Sequence, residues 1–252
     1  RIKLEKAFSL TILKQSMPYA LLILLMMIYY RSDSVMLERM LPNGARESAI
    51  YAQGFRFFEA FNMVGFLFAG LLLPIFSKLL KAKENLSNIL QLSFKILFSG
   101  ALVLGVVGFL FSHEIIEWRY HSSGEELIRS GNSFGMLMLC FIFICTTYIF
   151  GTLLTANGNL KTLNIIALLG VALNITLNIL LIPTHGAYGA AIASLITQGL
   201  TAVAQIALSF SSLTISFGWK NIMQTFAFTS LFVLSIFILP LEGMDWHWNM
   251  LT

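Results

Sequence analysis

Residues 173–198 read LNITLNILLIPTHGAYGAAIASLITQ. Two apolar runs meet at Pro183-Thr184-His185-Gly186, a turn signal in the middle of an otherwise hydrophobic stretch. Extended outward, each run nears the roughly 20 residues that a helix needs to cross the hydrocarbon core of a bilayer. The first run carries Asn174 and Asn178, four residues apart and therefore on one helix face, with Asn164 before them. Amides inside a spanning helix bond a neighbouring helix or touch a polar substrate, and packing is the plainer role. The second run sets Gly186, Gly189, Ala190, Ala193 and Ser194 along one helix. Small residues of this kind let backbones approach closely. The stretch reads as two packed helices crossing a membrane in opposite directions.

The rest of the chain follows the same pattern. It has 252 residues, 57% hydrophobic and 11% charged, with mean hydropathy +0.80. Soluble domains carry about 25% charged residues. The fold class is therefore an all-α integral membrane protein, and one polytopic domain accounts for residues 1–252. Apolar windows predict seven spans, at 15–40, 49–80, 88–112, 132–156, 160–182, 187–211 and 221–240. Short turns separate most of them, such as Pro42-Asn43-Gly44 and Asn157-Gly158-Asn159. A longer polar stretch, 113–131, reads as an outer loop. The second span is long and punctuated by Gly54, Gly65, Gly70 and Pro74, which suits a kinked packing helix or a hinge. The chain starts at Arg1 without a signal-peptide pattern, as a fragment of a longer protein would.

Lys and Arg set the orientation. With the amino end in the cytoplasm, ten basic residues fall inside, among them Lys78, Lys81, Lys83, Lys95 and Lys161. Four, Arg39, Arg46, Arg119 and Arg129, fall outside. This asymmetry opposes a seven-helix receptor, whose amino end lies outside.

Four ionisable residues lie within the first two spans: Arg31, Asp33, Arg56 and Glu59. A charge in hydrocarbon costs roughly 2.5–3.5 kcal/mol even on the lenient insertion scale. Counted from Gly44, all four fall at similar depth in the outer half of the membrane. Asp33 is placed to pair with Arg56, and Arg31 with Glu59. Gln53 and Asn62 extend the polar stripe of the second span. Two readings follow: a structural ion-pair network, or a hydrated cationic lumen for an anionic substrate. The candidate pathway residues are Arg31, Asp33, Arg56, Glu59 and Asn62.

Other chemistry is poorly represented. The four histidines are scattered, with no metal-ligand spacing. Glu114, Glu117, Glu125 and Glu126 read as a solvated acidic loop. Cys140 and Cys145 share one helix, too badly placed to bridge. There is no nucleotide-binding fingerprint. No catalytic residue, metal, cofactor or nucleic-acid partner is expected.

Several stretches resemble the second half of a polysaccharide (O-antigen, Wzx-type) flippase, of the MOP superfamily that also holds MATE exporters and lipid II flippases. RSDSVML, with Arg31, Asp33 and Leu37, is similar to the opening helix of that half. Tyr51, Arg56 and Glu59 resemble its Y-x-x-x-x-R-x-x-E, and Pro74, Ser77, Lys78 and Leu79 its P-x-x-S-K-L. The fullest match is the 173–198 stretch, through Asn174, Asn178, Pro183, Gly186, Gly189, Ala190, Ala191 and Gln198. The resemblance implies two helical bundles around a central cavity with alternating access, of which this chain is the second. The implied activity is translocation of an undecaprenyl-pyrophosphate-linked oligosaccharide across a bacterial inner membrane. The partners would be that substrate, membrane lipid and a missing amino-terminal bundle of the same protein. A drug or cation antiporter, or a lipid II flippase, is the alternative. A membrane polysaccharide polymerase or ligase is more remote, because its large reactive outer loop is absent.

Overall fold

The computed structural model describes residues 6–215 and scattered positions between 223 and 235. The expected span 221–240 and the amino-terminal residues 1–5 lie outside the described residues. Six helices follow in order: α1 Lys6–Met40, α2 Gly44–Ala82, α3 Ser87–Leu110, α4 Ser112–Tyr120, α5 Gly124–Ala156 and α6 Leu160–Ser212. All but α4 are long and apolar enough to cross a membrane.

At 53 residues, α6 would be roughly 80 Å long if straight, more than twice a hydrocarbon core of about 30 Å. It does not run straight. Gly186 has φ 57 and ψ −133, a conformation essentially reserved for glycine. Pro183, just upstream, has no amide hydrogen to give the ladder. The helix folds back at this elbow, and its two arms cross separately. The expected break between 182 and 187 is thus a single-residue reversal inside otherwise helical backbone, not a loop. With α1, α2, α3, α5 and the two arms of α6, the described residues contain six crossings.

Turn lengths and helix order give the bundle two ends. One holds the α1–α2 turn, α4 and the α6 elbow. The other holds the α2–α3 and α5–α6 turns. The stretch expected as a loop over 113–131 is mostly helical. α4 occupies its first part, anchored by the fully buried Ile116 against Phe134 and Met138. Glu125 and Glu126 stand in the first turn of α5, where carboxylates complement the helix dipole.

α5 is the axis of the bundle: 67% of its most apolar window is buried, against 6% for α1 and 17% for α2. Phe55 and Phe58 of α2, Phe94 and Phe98 of α3, and Phe141, Ile144 and Phe150 of α5 form the main core with Ala187, Ala190 and Ala191 of α6. The small-residue face of the second α6 arm is therefore a packing face. α2 is helical throughout, including Pro74. Two of its glycines are close-approach points: a Cβ on Gly54 would meet the Phe134 backbone at 2.9 Å, and one on Gly65 would meet the Tyr148 ring at 2.8 Å. Among the described residues no segment covers the outer faces of α1 and α2, where Val35, Met63, Val64, Phe66 and Leu71 are exposed.

Candidate functional site

The interior of the bundle is organised by Asp33. It is 3% exposed and takes three hydrogen bonds. Tyr51 donates its hydroxyl at 2.7 Å, Ser194 its hydroxyl at 2.6 Å, and Asn178 its amide at 2.7 Å. A second shell surrounds these. Asn178 also donates to the Asn174 carbonyl oxygen at 3.2 Å, Ser32 donates to the same oxygen at 3.0 Å, and Tyr29 donates to the Ser194 main-chain carbonyl at 3.2 Å. The cluster ties α1, α2 and both arms of α6 together. Three donors converge on two carboxylate oxygens, which is how a buried acid is accommodated without a cation.

This arrangement corrects the expected pairing. Asp33 does not meet Arg56, and Arg31 does not meet Glu59. The physical reason is helix phase. Asp33 shares the inward face of α1 with Tyr29 and Leu37, both buried, whereas Arg31 is exposed. On α2 the inward face carries Tyr51, Phe55 and Phe58, leaving Arg56 and Glu59 exposed. Arg31, Arg56 and Glu59 have no ion-pair or hydrogen-bond partner among the described residues. The polar stripe also divides. Gln53 bonds Glu126 at 3.2 Å, while Asn62 is turned toward the Tyr30 and Tyr148 hydroxyls. Asn164 donates to the Pro18 carbonyl at 2.9 Å and joins α6 to α1 near the opposite end.

A second polar centre sits at the elbow. Glu47, 1% exposed, forms an ion pair with Arg129. Its other oxygen accepts the Ala187 amide at 3.0 Å, at the start of the second α6 arm. A carboxylate here complements both the free amide and the positive end of the helix dipole. There is no room for a side chain on Gly186, because a Cβ would run into Glu47 and the Arg129 guanidinium. Arg129 also reaches Glu125 at 3.6 Å. The acidic stretch is therefore partly engaged in the fold rather than wholly solvated.

Sequence reasoning missed Glu47 and Arg129 as a pair, since they lie 82 residues apart in segments that look like loop and helix start. It also took Ser194 for a packing residue and Tyr51 for part of a motif without a partner. Asn174 and Asn178 were the legible part of the cluster.

Toward the end opposite the elbow, α1, α2, α5 and both arms of α6 enclose a half-open cavity of about 250 Å³. Tyr29 and Tyr30 line it together with Tyr148, Gln198, Thr201 and Gln205. No cluster of metal-ligating side chains occurs among the described residues.

Comparison with known proteins first shows a fold shared with solved membrane transporters. The chain is similar to a MOP superfamily transporter from Pyrococcus furiosus, described as having a binding pocket of reverse polarity, with TM-score 0.64 and 16% identity. It is also similar to an outward-facing multidrug resistance MATE family transporter, with TM-score 0.67 and 17% identity. In both cases the match covers 82% of this chain and 46% of the solved one, so the chain spans about half the length of these structures. Within that fold, the MatE family model matches residues 18–180, and the chain belongs to the MatE family, a multi-pass family of transporters rather than enzymes. The family model carries the coarser expectation, a MATE-type membrane transporter. No curated protein matches the chain.

Proposed function

We propose that the chain forms one wall of an alternating-access pathway that carries an anionic, lipid-linked cargo, an undecaprenyl-pyrophosphate-linked oligosaccharide, outward across a bacterial inner membrane. The observation that supports this reading is the separation of the four charges. Asp33 is withdrawn into the bundle and saturated by hydrogen bonds. Of those four, two arginines and one glutamate, Arg31, Arg56 and Glu59, are left on the exposed faces of α1 and α2. These are also the least covered spanning helices among the described residues. Charged groups at membrane depth persist where they line water or meet another protein segment. An opposing bundle would stand there, consistent with solved relatives about twice as long.

Arginine suits a pyrophosphate because its planar fork donates two parallel hydrogen bonds to phosphate oxygens. The isoprenoid tail stays in the bilayer while the head crosses. With the amino end of the chain cytoplasmic, outward movement of negative charge is favoured by an inside-negative potential, by about 2.3 kcal/mol per charge per 100 mV.

In the whole protein, Arg31→Ala or Arg56→Ala should lower surface polysaccharide at normal expression. Loss of one charge-assisted contact, about 1.5–3 kcal/mol, corresponds to a roughly ten- to hundredfold weaker substrate interaction. Unchanged export in both variants would sink the proposal.

A second reading, a drug or organic-cation antiporter, is favoured by the MatE family match. It requires Glu59 to outweigh the two arginines. Protection of cells from cationic dyes that is lost in Glu59→Gln and kept in the arginine variants would establish it.

A further inference from the structure

We infer that the cavity between α1, α2, α5 and α6 is a binding subsite for one uncharged, hydroxyl-bearing ring of the size of a single sugar residue; this rests on the saccharide cargo proposed above. Three features of the cavity lead there, and none belongs to the arginine-bearing face.

The first is chemical. Ten of its twenty lining residues are Tyr, Thr or Gln, and none is Asp, Glu, Lys, Arg or His. The wall that a ligand would meet is mostly carbon, set with the amides and hydroxyls of Gln198, Thr201 and Gln205. A cationic drug would want a carboxylate, and the nearby Asp33 has its oxygens occupied by Tyr51, Ser194 and Asn178. Uncharged amides and hydroxyls beside aromatic faces suit a neutral polyhydroxyl ring, whose hydroxyls exchange hydrogen bonds and whose C–H face lies on tyrosine.

The second feature is unmet hydrogen-bonding capacity. Thr197 Oγ1, Gln205 Oε1 and Asn62 Oδ1 are buried without a hydrogen-bond partner among the described residues. Thr197 and Gln205 line the cavity, and Asn62 stands at the Tyr30 and Tyr148 hydroxyls beside it. Unpaired polar groups in a bilayer interior are costly, and a ring in the cavity would give Thr197 and Gln205 the partners they lack. Space is reserved for two of the polar groups by bare backbone. A Cβ on Gly151 would meet Gln205 Oε1 at 2.9 Å, and one on Gly170 would meet Thr201 Oγ1 at 3.3 Å.

The third feature is size and access. About 250 Å³ is below the roughly 300–1,000 Å³ of clefts that bury drug-sized ligands. It has room for one ring within its walls. The cavity is half open, with the exposed side chains of Met26 and Phe66 among its lining residues. Both belong to α1 and α2, the helices that carry Arg31, Arg56 and Glu59. A cargo whose charged head meets those helices can thus lodge its first neutral ring in the cavity.

The test uses the full chain, purified in a detergent without a sugar head group, and saturation-transfer NMR. Three probes are compared: methyl β-glucoside, methyl N-acetyl-β-glucosaminide and 1-octanol. Saturation transfer to one or both glycosides is expected, with competition between them. Thr201→Val, nearly isosteric, and Gln205→Leu should each weaken the transfer roughly fivefold, the loss of one hydrogen bond. Ala167→Phe, which fills the cavity, should abolish it. Arg31→Ala and Arg56→Ala should leave it unchanged. Glycoside signals indifferent to Thr201→Val, Gln205→Leu and Ala167→Phe overturn the inference, as does a signal from 1-octanol alone. Normal export in the arginine variants alongside cavity-dependent glycoside binding would instead remove the cationic pathway and leave the subsite standing.

Discussion

Asp33 carries the interior of this bundle because α2 and both arms of α6 contribute donors to one side chain. Its removal takes from the Tyr51 and Ser194 hydroxyls and the Asn178 amide the charged acceptor they share. Measured interhelical hydrogen bonds in membranes average about 0.6 kcal/mol and reach about 1.7. Tyr51→Phe, which deletes one donor and leaves the ring packed, should destabilise the protein by about 1 kcal/mol. Asp33→Ala, which removes the acceptor all three share, should cost roughly 2–4 kcal/mol. Thermal melts in detergent check both. Equal midpoints for Tyr51→Phe and Asp33→Ala would mean that the carboxylate does not organise the cluster. The arginines behave differently at this scale. Arg31 and Arg56 have no partners among the described residues, so their alanine variants should melt like the parent protein.

Among the elements, α6 is decided by its elbow. Two crossings in one helical segment require a reversal, and Gly186 supplies the only non-helical backbone within it. Glu47 closes the elbow from α2 and Arg129 from α5. The elbow in turn sets the separation of the two arms, and so the approach of Asn174 and Asn178 to Ser194 around Asp33. Gly186→Ala should destabilise by about 1–3 kcal/mol through backbone strain alone, and more once the new methyl group displaces the Glu47–Arg129 pair. Glu47→Gln keeps an acceptor for the Ala187 amide and loses the ion pair. Glu47→Ala loses both. The expected order of melting temperature is parent, then Glu47→Gln, then Glu47→Ala, and a double-mutant cycle with Arg129→Met should show coupling between the two side chains. Additive effects would place Arg129 outside the elbow's support.

At the scale of the whole molecule, the described residues close around α5 and leave the outer faces of α1 and α2 uncovered. α5 is enclosed, while α1 and α2 turn apolar and charged residues outward together. If these faces border a hydrated path, cysteine at Arg56 or Glu59 should react with a membrane-impermeant thiol reagent. Cysteine at Leu168 or Ile179, exposed on α6, should be protected by lipid. The native Cys140 and Cys145 are buried and leave a low background. Equal protection at all four positions would place the arginines at a dry protein contact instead.

The sequence by itself determined the class of the molecule. Helices at membrane length, short turns and the Pro-Thr-His-Gly elbow are properties of local composition and spacing, and the asparagines of α6 could be recognised as interhelical because amides in a spanning segment have few other uses. What only the tertiary structure decided is which charges are inside. Asp33 and Arg31 are two residues apart, a separation that puts them on different faces of a helix, and the neighbouring packing chose which face went inward. Glu47 and Arg129 could not be paired by inspection, because their contact depends on three helix ends meeting at one elbow. Charge placement in a membrane bundle is a property of helix phase and of non-local packing, and it turned an apparent balance of two acids and two bases into a buried acid and an exposed basic surface.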